Sequence, residues 1–267
     1  MIKKISNFTQ TYQGTTKWSP GSDCKDRNFL IEAFCKNKNK IKAYELLDLQ
    51  TFNFHNMDLD NAKKLASQLK SVLPNIKCTC YNDTSLGYCI YEHMQFLKMQ
   101  GMTDFLWIQD DEFFTYKNFE DFKKVYEFYK QTPEIKNLNL LYSISDTPGL
   151  VPQNTINIPN CEITLHQFTA LDIKPFRSYA MDFTAFICNI DYFLEYMYEK
   201  RFEQILDAYQ LEGAVLHKSL SNNIQRCFLN TNFFESFNIV GMGGSLGNSK
   251  ERSQKLKELF DVAVNDQ

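Results

Sequence analysis

No stretch of the chain stays apolar for anything near the ~18 residues that a membrane span requires. The opening Met1-Ile2-Lys3-Lys4-Ile5-Ser6 has too few apolar residues for a secretory signal. A basic excess is also missing. Lys+Arg 29 against Asp+Glu 32 leaves a net charge of −3, so the sequence has no electrostatic footprint for nucleic acid. The densest basic run, Lys36-Asn37-Lys38-Asn39-Lys40, reads as a solvated loop between elements. There are no CxxC pairs and no Cys/His cluster with zinc spacing. With no export signal, the eight cysteines read as reduced thiols and the chain as cytoplasmic. No internal repeat or low-complexity segment is present, which excludes solenoids. What the chain does have is 267 residues, 43% of them hydrophobic and 15% aromatic. That suits a globular protein with one large core or two closely joined ones.

The order of elements is regular over residues 1–145. A first strand covers residues 2–12 and ends in Thr9-Gln10-Thr11-Tyr12, and a Gly/Ser/Thr/Pro-rich loop follows at 14–26. A helix then carries Phe29, Leu30, Ala33 and Phe34 at helical spacing, started by Asp23 or Asp26. A second strand is expected at residues 43–49, ending near Asp48. Asp58 or Asp60 caps the next helix, which stops at Pro74. A third strand is expected over 76–81, a helix over 86–99 closed by Gly101, and a fourth strand over 104–108. Asn118 caps a further helix, and a fifth strand lies at 138–144. Strand and helix alternating with short connections predict an α/β fold, a mostly parallel central sheet flanked by helices.

Residues 146–267 are more irregular. A proline-bearing loop (146–160) leads to strand-like segments at 162–168 and 183–190, with Asp191 as the expected cap of the helix that follows. Helices are expected over 202–209 and 211–223, and Ser249 caps a charged C-terminal helix over 250–264. Between them Gly241-Met242-Gly243-Gly244-Ser245-Leu246-Gly247 reads as a flexible turn, a candidate for closing over phosphates.

The chemistry concentrates at Phe105-Leu106-Trp107-Ile108-Gln109-Asp110-Asp111-Glu112-Phe113-Phe114. Four apolar residues run through Gln109 into three consecutive acids, which reads as a buried strand emerging at a surface. In open α/β sheets, ligands bind at that edge. Adjacent carboxylates repel unless a cation or strong donors compensate them, and hard cations such as Mg²⁺ or Mn²⁺ take carboxylate oxygens together with phosphates. The same acids also suit a helix N-terminus. The position of the triplet after three strand–helix units favours the metal.

These features resemble the nucleotide-sugar-dependent glycosyltransferases of the GT-A fold. Thr9-Gln10-Thr11-Tyr12 is similar to that family's Thr-Tyr signature after its first strand, and Trp107-Ile108-Gln109-Asp110-Asp111 to its apolar strand ending in Asp-x-Asp or Glu-Asp-Asp. Gln109 departs from the commonest form, where an acid stands. The resemblance covers residues 2–145 as a pattern of elements. It implies a nucleotide-sugar-binding half (1–145) and an acceptor-binding half (146–267) in one continuous catalytic domain. It also implies a nucleoside-diphosphate sugar donor, a carbohydrate or glycoconjugate acceptor and a divalent cation, Mn²⁺ or Mg²⁺.

In the Gln-Asp-Asp register Asp110 lies near the ribose or sugar and Asp111 on the metal. In the Asp-Asp-Glu register Asp110 and Glu112 take those roles. Thr9, Thr11, Tyr12 and Asp48 are the candidates for nucleobase and ribose. Glu212, in a degenerate form of the family's Glu-Asp pair, and Asp182 are the candidate catalytic carboxylates, and His217 is a candidate third metal ligand. For Asp48, Asp182, Glu212 and His217 a turn, cap or structural role is an equal or stronger alternative. A nucleotidyltransferase or a non-catalytic carbohydrate-binding module on the same fold are the competing functions.

Overall fold

The computed structural model describes residues 2–12, 28–82, 84–143, 149–173, 183–198, 208–237 and 249–263. The strand at residues 5–12 organises it. β1 (Ile5–Phe8) pairs in parallel with β5 (Asp104–Trp107), and β2 (Gln10–Tyr12) pairs in parallel with β3 (Thr51–His55). Only Thr9 separates β1 from β2, and its carbonyl accepts from the Asn53 amide at 2.8 Å. β1 and β2 therefore act as one bent strand joining two ladders. β4 (Lys77–Tyr81) extends one side in parallel. On the other side β10 (Phe186–Asn189) runs antiparallel to β5, and β7 (Asn137–Asn139) antiparallel to β10. The resulting order is β4-β3-β2/β1-β5-β10-β7, with β10 alone reversed among the described strands. This is the α/β architecture with a mostly parallel sheet that the alternation predicts. Because β10 lies between β5 and β7, the second half of the chain completes the sheet of the first.

Helices α1 (Asn28–Lys36), α2 (Lys38–Glu45), α3 (Leu59–Val72), α4 (Leu86–Met99) and α5 (Phe119–Gln131) flank the sheet. Asp58 caps α3 by accepting from the Asn61 amide at 3.0 Å, and Asn118 caps α5. After α4, Gly101 takes φ +75, the left-handed conformation that a glycine ends a helix with. Among the described residues, two smaller sheets are also present. One is the antiparallel pair β6 (Glu112–Phe114) and β12 (Phe234–Ser236). The other joins β8 (Asn154–Asn157), β9 (Thr164–Thr169) and β11 (Gln225–Leu229).

Three expectations change. Residues 43–49 are not a strand: α2 runs to Glu45, a turn follows, and the strand is Thr51–His55. Asn37 caps α2 through the Lys40 amide (2.8 Å), and Lys40, Ala43 and Tyr44 form a buried helical stripe, with Leu47 buried in the turn after it, which an alternating pattern does not explain. The basic run at 36–40 is not a solvated loop, because Asn37 and Lys40 are buried. Asn189, rather than Asp191, caps the turn beginning at Ile190, accepting from the Tyr192 amide at 3.0 Å; Asp191 instead pairs with Lys98 at 2.6 Å.

The described cysteines are all free thiols, and among the described residues no helix is long and apolar enough to cross a membrane. The expected loop at 14–26, the 202–207 part of the expected 202–209 helix and the glycine-rich turn fall outside the described residues.

Candidate functional site

Strand direction sets the site. β2, β3 and β5 all end on the same rim of the sheet, and Ile108 continues β5 by donating its amide to Phe8 at 3.1 Å. The acids then form a tight turn. The Glu112 amide donates to the Gln109 carbonyl (3.3 Å), and Glu112 Oε2 accepts from the Gln109 amide (2.7 Å). Asp110, Asp111 and Glu112 are all buried, at 3%, 5% and 0% exposure. That degree of burial demands compensation by donors or a cation.

Compensation comes first from Lys40, whose side chain is fully buried below the turn. Its Nζ donates to the carbonyls of Gln109 (3.1 Å), Asp110 (3.4 Å) and Glu112, and lies 4.7 Å from the centre of the Phe113 ring and 5.1 Å from that of Phe34. Burial pulls the Lys40 ammonium down to about 8, opposed by Glu112, Asp110 and Asp111 in that order. One helical turn on, the Tyr44 hydroxyl bonds Thr9 Oγ1, and burial drives its ionisation far up. Two further clamps hold the turn. The Trp107 indole donates to the Phe183 carbonyl at 3.2 Å and the Gln109 side chain to the same oxygen, while the Phe237 amide donates to the Asp111 carbonyl at 3.0 Å. Behind β6, the helix Ser249–Phe260 packs Leu256 and Phe260 into a cluster with Phe29, Leu30, Phe113 and Phe237.

The expected site residues divide accordingly. Thr9, Asp110, Asp111 and Glu112 come together around Lys40 and Tyr44. Thr9 is engaged with Tyr44 and Asn7. Thr11 lies on the same rim, fully buried, its hydroxyl without a hydrogen-bond partner among the described residues. The Tyr12 backbone pairs with His55 at the strand end.

Asp48 is placed elsewhere, a correction to its expected position. It accepts from the Ile5 amide (2.8 Å) and from Lys130 (3.2 Å) at the start of β1, on the opposite rim. Three residues of strand, about 10 Å, separate that rim from Phe8. The shift follows from the strand starting at Thr51 rather than at 43. His55 ends that strand instead, its Nε2 at 2.9 Å from the Thr84 carbonyl.

Glu212 is half-buried inside the helix Ala208–Ser221, which buries Leu211 and Val215 against the core and leaves His217 exposed. Asp182 falls outside the described residues; its neighbour Phe183 is the acceptor for Trp107 and Gln109.

Among the described residues no group of three or more His, Cys, Asp or Glu is arranged to hold a metal ion. The three consecutive carboxylates, with or without His217, therefore do not make a ready-formed metal cage. What the turn offers is hard oxygen donors from Asp110 and Asp111. That set fits Mg²⁺ or Mn²⁺ in the manner usual for nucleotide enzymes, one or two carboxylates completed by phosphate oxygens and water. It does not fit an all-protein cage.

Sequence reasoning missed Lys40 and Tyr44. Their signal was present: 40, 43, 44 and 47 lie on one helical stripe, and Lys40 occupies its first position.

No sequence-family model matches the chain, and no curated protein matches it. Among solved structures, S. aureus TarS 1–349 superposes with a TM-score of 0.51 at 13% identity, covering 96% of this chain and 70% of that one. The shared fold is mixed α/β with a parallel-rich sheet flanked by helices, of the GT-A-like and nucleotidyltransferase-like kind. A 4-diphosphocytidyl-2C-methyl-D-erythritol synthase aligns at a TM-score of 0.32 and 13% identity over 60% of this chain and 70% of its own. A UDP-glucose pyrophosphorylase complexed with UDP-glucose aligns at 0.35 and 10% identity over 86% and 91%. Likenesses that slight say nothing further. In the GT-A-like frame, the acidic turn ends the strand next to β1, on the rim where β2 and β3 also end.

Proposed function

We propose that the chain is a glycosyltransferase that moves a sugar from a nucleoside-diphosphate sugar to an acceptor hydroxyl. One observation carries the reading: in a GT-A-like sheet, the buried acidic turn stands at the C-terminal end of β5, beside Phe8 at the end of β1. Asp111 would hold the Mn²⁺ or Mg²⁺ and Asp110 would face the ribose or sugar. Held by these carboxylates, such a cation would supply positive charge to offset the negative charge that develops on a departing nucleoside diphosphate.

Glu112 is committed to closing the turn through the Gln109 amide, which supports the Gln-Asp-Asp register over Asp-Asp-Glu. Thr11 offers a buried hydroxyl to the nucleotide from the same rim. Glu212 and Asp182 are the candidate bases for the acceptor hydroxyl. A base acts by accepting the hydroxyl proton as the new bond forms, so it must approach within hydrogen-bond reach of the bound acceptor.

Titration calorimetry with UDP, GDP and CDP, each with and without Mn²⁺, tests the proposal. One nucleotide is expected to bind in the presence of Mn²⁺ and to lose most of its affinity without it. No binding by any of the three at any metal concentration sinks the reading. Hydrolysis of the matching nucleotide sugar by the purified chain separates an enzyme from a non-catalytic carbohydrate-binding module.

A further inference from the structure

We infer that Lys40 is a positioning residue for the nucleotide site: its buried ammonium fixes the turn from which Asp110 and Asp111 project. The inference rests on the nucleotide reading above and deepens it.

Three observations carry it. First, the ammonium donates to backbone carbonyls, those of Gln109, Asp110 and Glu112, so it sets the path of the chain on either side of Asp111. Second, it is held from its own side. Asn37 caps α2 through the Lys40 amide, and Asn37 Nδ2 donates to the Phe114 carbonyl at 3.2 Å, which ties the start of α2 to the strand leaving the turn. Third, Lys40 is fully buried, a condition that lysine rarely meets unless paired. A solvated lysine in a loop shows none of these features. An ammonium with three donors suits this place because three carbonyls of a tight turn converge on one point. A charge held there before any ligand arrives also keeps adjacent carboxylates from driving the turn open.

Two experiments test the inference. Hydrogen exchange on the unaltered, ligand-free chain is expected to show the Gln109 and Glu112 amides protected about 100-fold or more relative to unstructured peptide. Exchange at the unstructured rate means the turn is not pre-assembled and overturns the inference.

In Lys40→Met, the folded protein is expected to bind UDP, GDP or CDP with Mn²⁺ (whichever binds the unaltered chain) about tenfold or more weakly. Lys40→Arg, which keeps the charge and the donors, is expected to recover most of that loss. A role confined to stability lowers the melting temperature of Lys40→Met and leaves the dissociation constant of the folded protein unchanged, and that result overturns the inference. If Lys40→Met does not fold, the exchange measurement and Lys40→Arg decide. Failure of the unaltered chain to bind any nucleotide removes the nucleotide reading and this role with it. Binding that survives Lys40→Met removes this role alone.

Discussion

Replacing Asp111 by alanine is expected to weaken Mn²⁺-dependent nucleotide binding by a factor of about 100 or more, about 2.7 kcal/mol. The size follows from the donor set. With no third protein ligand assembled among the described residues, each carboxylate supplies a large share of what the protein gives the cation. The substitution also keeps the backbone bonds of the turn described above. The contact that Asp111 makes with Phe237 runs through its backbone carbonyl, and the Lys40 bonds go to carbonyls that alanine does not remove. Calorimetry on folded Asp111→Ala is the check, with the melting temperature measured alongside. Undiminished binding transfers the metal role to another residue, with Asp110 first in line.

The largest stability effect is expected at Phe114. Its ring is 4% exposed and meets four others: Phe119 at 5.6 Å, Phe122 at 5.3 Å, Phe233 at 6.1 Å and Phe234 at 5.3 Å. Those neighbours come from α5 and from the segment entering β12. Phe114→Ala therefore opens a cavity where three parts of the chain meet, directly behind the acidic turn. Truncations of this kind cost about 3–5 kcal/mol. The midpoint of urea unfolding should fall by that free energy divided by the slope, with the slope itself unchanged. A loss below about 1 kcal/mol would mean that the rings collapse onto the gap and that the cluster is not the hub described here.

Much of the fold was legible because its helices and strands carry distinct periods. Leu65 and Leu69 on α3, Ile90, Met94 and Leu97 on α4, and Phe122, Val125, Tyr126 and Tyr129 on α5 repeat at helical spacing and are buried as that spacing requires. The end of β5 was legible because a short apolar run passing into acids marks where a buried strand reaches its rim.

The misreadings around α2 have a common cause. Residues 43–49 are apolar enough for a strand, and only the stripe through Lys40, Ala43, Tyr44 and Leu47 marks them as the end of a helix. That stripe begins with a lysine, a residue that composition assigns to solvent. Once the helix was misplaced, Asp48 moved to the wrong rim and Lys40 into a loop. Local pattern cannot register a buried ammonium whose partners are carbonyls some seventy residues away. The residues that clamp the turn from the far side, Phe183 and Phe237, lie as far or farther away in sequence.

The most direct test of the central claim is a crystal structure with the bound nucleotide and Mn²⁺, located by anomalous scattering. The account predicts one manganese peak in direct contact with the Asp111 carboxylate and with phosphate oxygens, above the turn that Lys40 holds from below. A manganese or diphosphate bound away from Asp110 and Asp111 would contradict it.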